Sequence, residues 1–257
     1  MRKYLKLFNT HAEYTAYLGG GEMILPNVSH CIDVNDVHYN PLVDETKIVA
    51  KFNISDDSSP TTIYFYNNSY DPRLGIPITH GVDKFDSVEV DGLEISLEDI
   101  DNAEGKYNLS IGNHTVKYAL KNPSIIHDYA FYEMNMVSLF LPNGITDIRL
   151  CAFAWCENLN NITLPNTLTY IGEESFARTY NLTEFTIPES VTSIDIEVFA
   201  DSNIERIICK GMTAPTIENT TFDDIKPNGT LIVPSGSSGY DVWMDTLGSY
   251  DWTKVEQ

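Results

Sequence analysis

Large apolar residues recur along the second half of the chain at a fixed step. Five phenylalanines are spaced 22, 23, 23 and 23 residues apart: Phe131, Phe153, Phe176, Phe199 and Phe222. An isoleucine stands five residues before each of them: Ile126, Ile148, Ile171, Ile194 and Ile217. A fixed period of about 20 to 30 residues is typical of a solenoid, in which each coil covers the apolar face of its neighbour. The pattern therefore predicts a stack of coils from residue 126 to residue 233.

Within one coil the pattern predicts a short strand followed by a tight turn. The strand segments are residues 136–142, 159–165, 182–188 and a shorter copy at 204–209. Apolar residues two apart, such as Leu139 and Leu141, point to one side of a strand, and the proline that follows ends it. Further apolar residues come at steps of three, as in Ile145 and Ile148, and this spacing favours a 3₁₀-like turn.

Residues 46–120 show short alternating segments that predict an all-β module. The candidate strands are residues 47–54, 61–66, 85–90, 107–111 and 115–120. Asp91-Gly92 and Gly112-Asn113 are dipeptides that favour hairpin turns between such strands. Strands at this pace predict an Ig-like β-sandwich. Because the last strand leads directly into the first coil, we expect the sandwich to cover the open end of the solenoid.

The C-terminal end carries the signals of a second cap. Ile217 and Phe222 keep the phase of a fifth coil, and residues 230–233 provide its strand. Tyr240, Trp243, Met244 and Leu247 then follow at helical spacing, which predicts a one-sided helix that closes the last coil. Trp252 and Val255 are predicted to complete this cap within residues 235–257.

The repeats resemble the BspA-type leucine-rich repeats of gut and oral anaerobes. The segment that carries this resemblance best is residues 181–194, Asn-Leu-Thr-Glu-Phe-Thr-Ile-Pro-Glu-Ser-Val-Thr-Ser-Ile. The C-terminal run from Asn228 to Glu256 is also similar to the usual ending of BspA-like proteins. The predicted fold class is mainly β with short helical turns: an Ig-like sandwich over residues 46–120, repeats over 121–234 and a cap over 235–257. The resemblance implies that the repeated residues are core and that the coils present a passive binding surface.

Residues 1–45 are predicted to be an attachment or leader segment. Residues 3–8 alternate like an edge strand, Thr10 and Glu13 form a capping box, and a hairpin is predicted around Asn35-Asp36. The segment resembles leaders of proteins from Bacteroidales and from the phages that infect them. The residues that carry this resemblance are Phe8, Thr10, Ala12, Tyr14, 26–29, Cys31, Val37 and 39–41. In virion proteins such leaders are attachment or assembly segments.

The charge of the chain narrows the class of partner. It has 37 acidic and 16 basic residues and a net charge of −21, which repels nucleic-acid phosphates and anionic lipids. No apolar run is long enough for a secretory signal or a membrane span. We therefore expect the chain neither to bind nucleic acid nor to insert into a membrane. We also expect it to be either a mature fragment with a restored Met or a chain that does not use the secretion route.

Candidate chemistry is sparse. The cysteines Cys31, Cys151, Cys156 and Cys209 have no paired spacing and are predicted to be free thiols. The six histidines show no nucleophile or zinc motif; His30 and His38 face each other across the predicted hairpin but have no third ligand. Acidic pairs such as 99/101 and 223/224 fall short of a calcium loop. The sequence therefore predicts no catalytic residue, no metal and no cofactor.

What remains is a binding surface on the coils. Side chains on the outward side of the strands are predicted to form one flat face, with two aromatic residues projecting from nearby turns. The candidate binding residues are Phe140, Trp155, Thr163, Tyr180, Thr186 and Ile208.

The function predicted first is a non-enzymatic structural or attachment protein on the virion of a Bacteroidales phage: a head or tail fibre, or a capsid decoration. Residues 1–45 would bind other virion or cell-surface proteins, and the repeats a host glycan or surface protein. Because fibres are built from repeated symmetric subunits, we expect a homo-oligomer. A BspA-like adhesin on the surface of a gut bacterium is the alternative. The third possibility is a glycan-processing enzyme. Such enzymes use a pair of carboxylates, and nothing in the sequence singles out two acidic residues for this role.

Overall fold

In a computed structural model of the chain, the residues described are 46–55, 62–64, 66–68, 79–80, 84–102 and 106–257. The leader segment, its predicted strand, helix and hairpin, and the residues Cys31, His30 and His38 lie outside this part of the chain. The described residues belong to one compact unit.

The N-terminal cap consists of short strands and one short helix. Its elements are β1 (Ile48–Ile54), β2 (Thr62–Tyr64), β3 (Tyr66–Asn68), β4 (Thr79–His80), β5 (Phe85–Val90), β6 (Leu93–Ile95), α1 (Leu97–Asn102), β7 (Lys106–Asn108) and β8 (Gly112–Leu120). Asp91 and Gly92 have φ of 52° and 85° and form the predicted hairpin turn, which needs positive φ at both positions. The strand that follows this turn, β6, was not among the candidate strands.

The second predicted hairpin, at Gly112-Asn113, is wrong. Both residues begin β8, and β7 pairs with β2 while β8 pairs with β1 and β5. The dipeptide favours a turn only through local conformation, and the pairing of Gly112 with Ile54 on the distant strand β1 places it in the sheet. The Ig-like topology of this module stays a prediction.

Each coil of the solenoid contributes two strands. The first parallel set is β10 (Ser138–Phe140), β12 (Asn161–Thr163), β14 (Glu184–Ile187), β16 (Arg206–Cys209) and β18 (Thr230–Val233), which confirms the predicted strand segments. The second set is β9 (Ile125–Ile126), β11 (Asp147–Ile148), β13 (Tyr170–Ile171), β15 (Ser193–Ile194) and β17 (Thr216–Ile217). It forms a five-stranded parallel sheet.

The second sheet differs from the prediction of a 3₁₀-like turn at the repeated isoleucines. Ile126, Ile148, Ile171, Ile194 and Ile217 lie opposite one another in register from coil to coil. A branched side chain packs well on a strand, and each two-residue strand is held by its neighbours in the stack. Spacing within one coil does not show this pairing, because the partners are a full period away.

The five phenylalanines point into the core, as predicted, and all are fully buried. Phe131, Phe153 and Phe176 stack with ring centroids 5.3 Å apart at each step. Phe185 then lies edge-on between Phe176 and Phe199, at 4.9 and 5.0 Å, and Phe199 stacks on Phe222 at 5.9 Å. We call this row of rings, from Phe131 to Phe222, the aromatic spine.

The N-terminal cap covers the first end of the spine. Tyr118 and Phe85 lie 5.1 and 6.1 Å from Phe131, measured between ring centroids. The cap also extends the first set of repeat strands, because β1 runs antiparallel to β10 with Val49 opposite Phe140. The result is a single six-stranded sheet in the order β12-β10-β1-β8-β5-β6.

The C-terminal cap is the predicted helix, α2 (Tyr240–Leu247), with Tyr240, Trp243 and Leu247 buried. The Trp243 ring lies 5.4 Å from Phe222, and its Nε1–H donates to the carbonyl of Pro215 at 3.1 Å. Trp252 is buried as predicted and donates to the Lys226 carbonyl at 2.8 Å. The sheet of β14, β16 and β18 ends in β19 (Thr253–Glu256).

Val255 was predicted to fill the C-terminal cap, and this prediction is wrong. The residue lies in β19, pairs with Ile232 of β18 and is 39% exposed. Side chains alternate along a strand. Lys254 points toward Asp241 of α2, so the next residue, Val255, points to the opposite side of the sheet.

Substituting Ser175 by alanine should raise stability. Among the described residues, the Ser175 hydroxyl is fully buried and has no hydrogen-bond partner, whereas alanine stands one residue before the phenylalanine in the coils of Phe131 and Phe153. A buried unpaired hydroxyl costs about 1–3 kcal/mol. We expect Ser175→Ala to increase the free energy of unfolding by about 1 kcal/mol, measured by urea denaturation. Thr179→Val is the control: that buried hydroxyl donates to the Phe176 carbonyl at 2.9 Å, so its loss should lower stability.

Adding a methyl group at Gly229 should loosen the C-terminal cap. A Cβ at this position would overlap the indole ring of Trp252, and such overpacking costs about 1–3 kcal/mol. We expect Gly229→Ala to lower the urea midpoint and to red-shift the tryptophan fluorescence. Gly248→Ala is the matched control, because it has φ of −61° and open space around the Cβ position. Equal effects of the two substitutions would contradict this packing.

Candidate functional site

Four of the six predicted binding residues lie in register on the outward side of the first set of repeat strands. Phe140 lies opposite Thr163, and Thr186 lies opposite Ile208. The same row continues to Ile232 and Val255, which the sequence analysis did not include. Neighbouring strands in such a ladder are about 4.8 Å apart. We call this row the outer column; its members are Val49, Phe140, Thr163, Thr186, Ile208, Ile232 and Val255.

The outer column is divided once. Strands β10 and β12 belong to the sheet of the N-terminal cap, and β14, β16, β18 and β19 form a separate four-stranded sheet. Thr163 and Val255 are exposed, while Phe140, Thr186 and Ile208 are half-buried and Ile232 is buried. The column is thus apolar at both ends and carries two threonines at its centre.

A polar row runs beside the outer column. It contains Lys51, Ser138 and Asn161 in the first sheet and Glu184, Arg206, Thr230 and Thr253 in the second. Arg206 Nη1 lies 2.6 Å from Glu184 Oε2, with both side chains about half exposed. Such a surface pair adds little stability, and it presents a negative charge beside Thr186 and a positive charge beside Ile208.

The other two predicted residues, Trp155 and Tyr180, lie in the turns and not on the strand face. The guanidinium carbon of Arg178 lies 4.9 Å from the centroid of the Trp155 ring, and Arg178 Nη2 lies 2.9 Å from Asp201 Oδ2. One face of the indole is therefore occupied by a cation. Tyr180 is 37% exposed. The structure thus separates the six predicted residues into four on the face and two in the turns.

Trp155 covers a small core on the outside of the turns. Its buried residues are Tyr129, Cys151, Ala154, Ala177 and Ala200, with Tyr132, Leu150 and Trp155 packed against them. The sequence signal for this cluster is the alanine that follows Phe153, Phe176 and Phe199 at the repeat period. We interpret Trp155 as packing on this cluster.

The polar side chains on the outer side of the second sheet form hydrogen bonds to neighbouring coils. The hydroxyls of Thr146, Thr169, Thr192 and Thr216 each donate to a carbonyl of the preceding coil, at 3.0–3.2 Å. The Tyr170 hydroxyl donates to Asp195 Oδ2 at 2.6 Å. Burial and this carboxylate raise the pKa of Tyr170 to about 12. These side chains bind the coils to one another.

The structure brings together a serine, a histidine and an aspartate that the sequence analysis did not connect. His114 Nδ1 lies 2.7 Å from Asp91 Oδ2, and His114 Nε2 lies 3.4 Å from Ser110 Oγ. However, Nε2 is closer to the Ser110 carbonyl oxygen, at 2.9 Å. A nitrogen that donates to this carbonyl is not a base for the serine hydroxyl. The only sequence signal was the four-residue spacing of Ser110 and His114, since Asp91 lies in the turn between β5 and β6, 23 residues before His114.

Two of the buried cysteines are poor nucleophiles. Cys151, Cys156 and Cys209 are all buried and form no disulfide, as predicted. Burial raises the pKa of both Cys156 and Cys209 to about 12, so both are thiols at neutral pH. In the part of the chain that the structure describes, no group of three or more His, Cys, Asp or Glu side chains is placed to hold a metal ion. Within the same residues, no helix has the length and apolar character that crossing a membrane requires.

Comparison with known proteins places the repeats in a family. Residues 118–237 match the BspA type leucine rich repeat region in six copies. A leucine-rich repeat protein from Bacteroides capillosus is 22% identical over 59% of this chain and 99% of its own, with a TM-score of 0.34. The pneumococcal vaccine antigen PcpA is 20% identical over 52% of this chain and 39% of its own, with a TM-score of 0.36. No curated protein matches the chain.

Proposed function

Because residues 118–237 are a BspA-type leucine-rich repeat region, we propose that the chain is a non-enzymatic attachment protein whose outer column binds a partner protein. Proteins with such repeats are typically exposed at a surface and are generally non-enzymatic. The proposal rests mainly on one observation, the contrast between the two sides of the repeat strands.

The inward side is nearly constant from coil to coil and the outward side is not. Leu139, Ile162, Phe185, Ile207 and Leu231 lie in register on the inward side and are all apolar. Their neighbours in the outer column change from phenylalanine to threonine to isoleucine. A core needs only apolar residues of fitting size, so the outward variation is free to serve recognition.

A protein partner fits this face better than a glycan. A flat row that is apolar at its ends and edged by polar side chains has the composition of a protein interface. Sugar recognition favours an open aromatic ring, but the Phe140 ring on this face is half-buried. The exposed Tyr180 ring and the Trp155 ring, one face of which Arg178 occupies, lie in the turns and not on this face. With a net charge of −21, the chain attracts a neutral or basic partner surface.

We propose further that residues 1–45 mount the chain on the virion of a Bacteroidales phage, as a fibre or capsid decoration, and that it oligomerises there. The resemblance of this leader to phage and Bacteroidales leaders supports this location. The family itself supports a second candidate, an adhesin on the bacterial cell surface.

A charge on the outer column should weaken binding. We expect Thr186→Asp to weaken binding of the labelled full chain to Bacteroidales cells by at least about tenfold, or 1.4 kcal/mol, because it places a charged carboxylate at the centre of the proposed contact, between its two apolar ends. Ser193→Asp is the matched control: it lies in the same coil, is also half-buried and faces outward from the second sheet. Binding is measured by flow cytometry, with unfolding curves to confirm equal stability. Equal loss in both variants would contradict the proposed surface.

The location can be tested separately by quantitative mass spectrometry of purified virions and of bacterial outer-membrane fractions. We expect the chain in the virions, in a constant ratio to the capsid protein. Detection in the outer-membrane fraction alone would overturn the virion location and favour the adhesin.

A further inference from the structure

His114 lies at the rim of the core of the N-terminal cap. It shares a face of β8 with the fully buried Val116 and Tyr118, and it lies opposite Phe52 of β1. Its side chain is only 11% exposed, so its two ring nitrogens depend on protein partners. One partner is Asp91, in the turn between β5 and β6, and the other is Ser110, in the loop before β8.

Both partners are hydrogen-bond acceptors, so each requires an N–H group from the His114 ring. The Asp91 carboxylate accepts from Nδ1 at 2.7 Å, and the Ser110 carbonyl accepts from Nε2 at 2.9 Å. Neutral imidazole carries one N–H, so it satisfies one of these acceptors and turns a lone pair toward the other. Imidazolium carries two N–H groups and satisfies both. The geometry therefore selects the charged form of His114.

Asp91 is itself held in place by backbone groups. Its Oδ1 accepts from the Thr115 N–H at 2.8 Å, and its own N–H donates to the Thr115 carbonyl at 2.9 Å. Burial alone would raise the pKa of Asp91, but the hydrogen bonds from Thr115 and His114 and the charge of His114 lower it. Burial alone would likewise lower the pKa of His114, but the bonds to Asp91 and Ser110 and the charge of Asp91 raise it.

The charged groups on the neighbouring strands β1 and β5 lie at other register positions than His114. On β1, the residue opposite His114 is the uncharged Phe52, and the next charged residue is Lys51, opposite Thr115. On β5, Glu89 lies beside Lys117 and pairs with Lys47. Asp91 is thus the one charge that bonds directly to the His114 ring among the described residues.

We propose that His114, Asp91 and Ser110 form a proton-operated latch that fastens the β5–β6 turn to the loop before β8 and releases it when the imidazolium loses its proton. Because the pKa of His114 is raised in the folded chain, the latch is closed below the unfolded value of about 6.5 and opens as pH rises through the folded value. It also needs ionised Asp91, whose pKa is lowered, so it opens again in strong acid.

The test is an NMR titration of the histidine ring protons in the full chain, with His114→Gln used to assign the resonance. We expect the pKa of His114 above 6.5, and a decrease of at least about one unit in Asp91→Asn. Asparagine also tolerates the positive φ of this position and keeps an oxygen for the Thr115 N–H. Ser110→Ala is the control: it removes the hydroxyl and keeps the carbonyl, so the pKa should stay raised. A value at or below 6.5, or a decrease in Ser110→Ala as large as in Asp91→Asn, would overturn the proposal.

A second measurement follows the opening of the latch itself. Hydrogen exchange at the amides of Asp91 and Thr115, corrected for intrinsic rates, should lose protection at least about threefold between pH 6 and pH 8.5 in the wild type. In His114→Gln the protection should not change with pH. Protection that changes equally in both proteins, or in neither, would exclude a latch.

Discussion

The structure depends on the continuous burial of aromatic rings along one axis. The aromatic spine begins against Tyr118 and Phe85 of the N-terminal cap and ends against Trp243 of the C-terminal cap. Each ring covers the face or edge of the next, so a coil without neighbours would expose its phenylalanine to water. A buried aromatic side chain contributes up to about 3 kcal/mol, and the contribution is available only when both ends are closed. The caps are therefore part of the same core as the repeats.

The turns that carry the spine hold residues in the left-handed region without using glycine. Tyr129, Cys151, Glu174 and Glu197 stand two residues before a phenylalanine and have φ of 51–56°. Such a conformation costs about 1–2 kcal/mol for each residue. Hydrogen bonds between coils offset this cost: the amides of Phe131 and Phe153, for example, donate to the next coil at 2.9 Å. Glu133, Trp155, Arg178 and Asp201, two residues after a phenylalanine, also have positive φ. The strain thus recurs twice in each of these coils, together with the bonds that stabilise it.

The sequence predicted the features that repeat at short range, and it missed those that depend on distant partners. The phenylalanine period predicted the coils and the inward rings, and the spacing of Tyr240, Trp243 and Leu247 predicted the capping helix. The pairing of Val49 with Phe140 joins segments about 90 residues apart. The sequence pattern of either segment does not indicate that the other is its partner. The same reason explains why the contact between Asp91, in the β5–β6 turn, and His114, on β8, was missed. The four face residues followed from strand alternation alone, whereas the covering of Trp155 depends on Arg178 in the next coil.

The division of the outer column between β12 and β14 has a consequence for how the molecule can vary in length. On one side of this seam the strands belong to the sheet of the N-terminal cap, and on the other side to the sheet that ends at β19. A duplicated coil inserted at the seam would need to restore the ring stacking, the turn bonds and the pairing between β13 and β15 in the second sheet. It would break no pairing in the first set of strands, since β12 and β14 belong to different sheets. Unequal recombination at this point would lengthen the solenoid by one repeat at a time, and both caps would keep their contacts with the terminal coils.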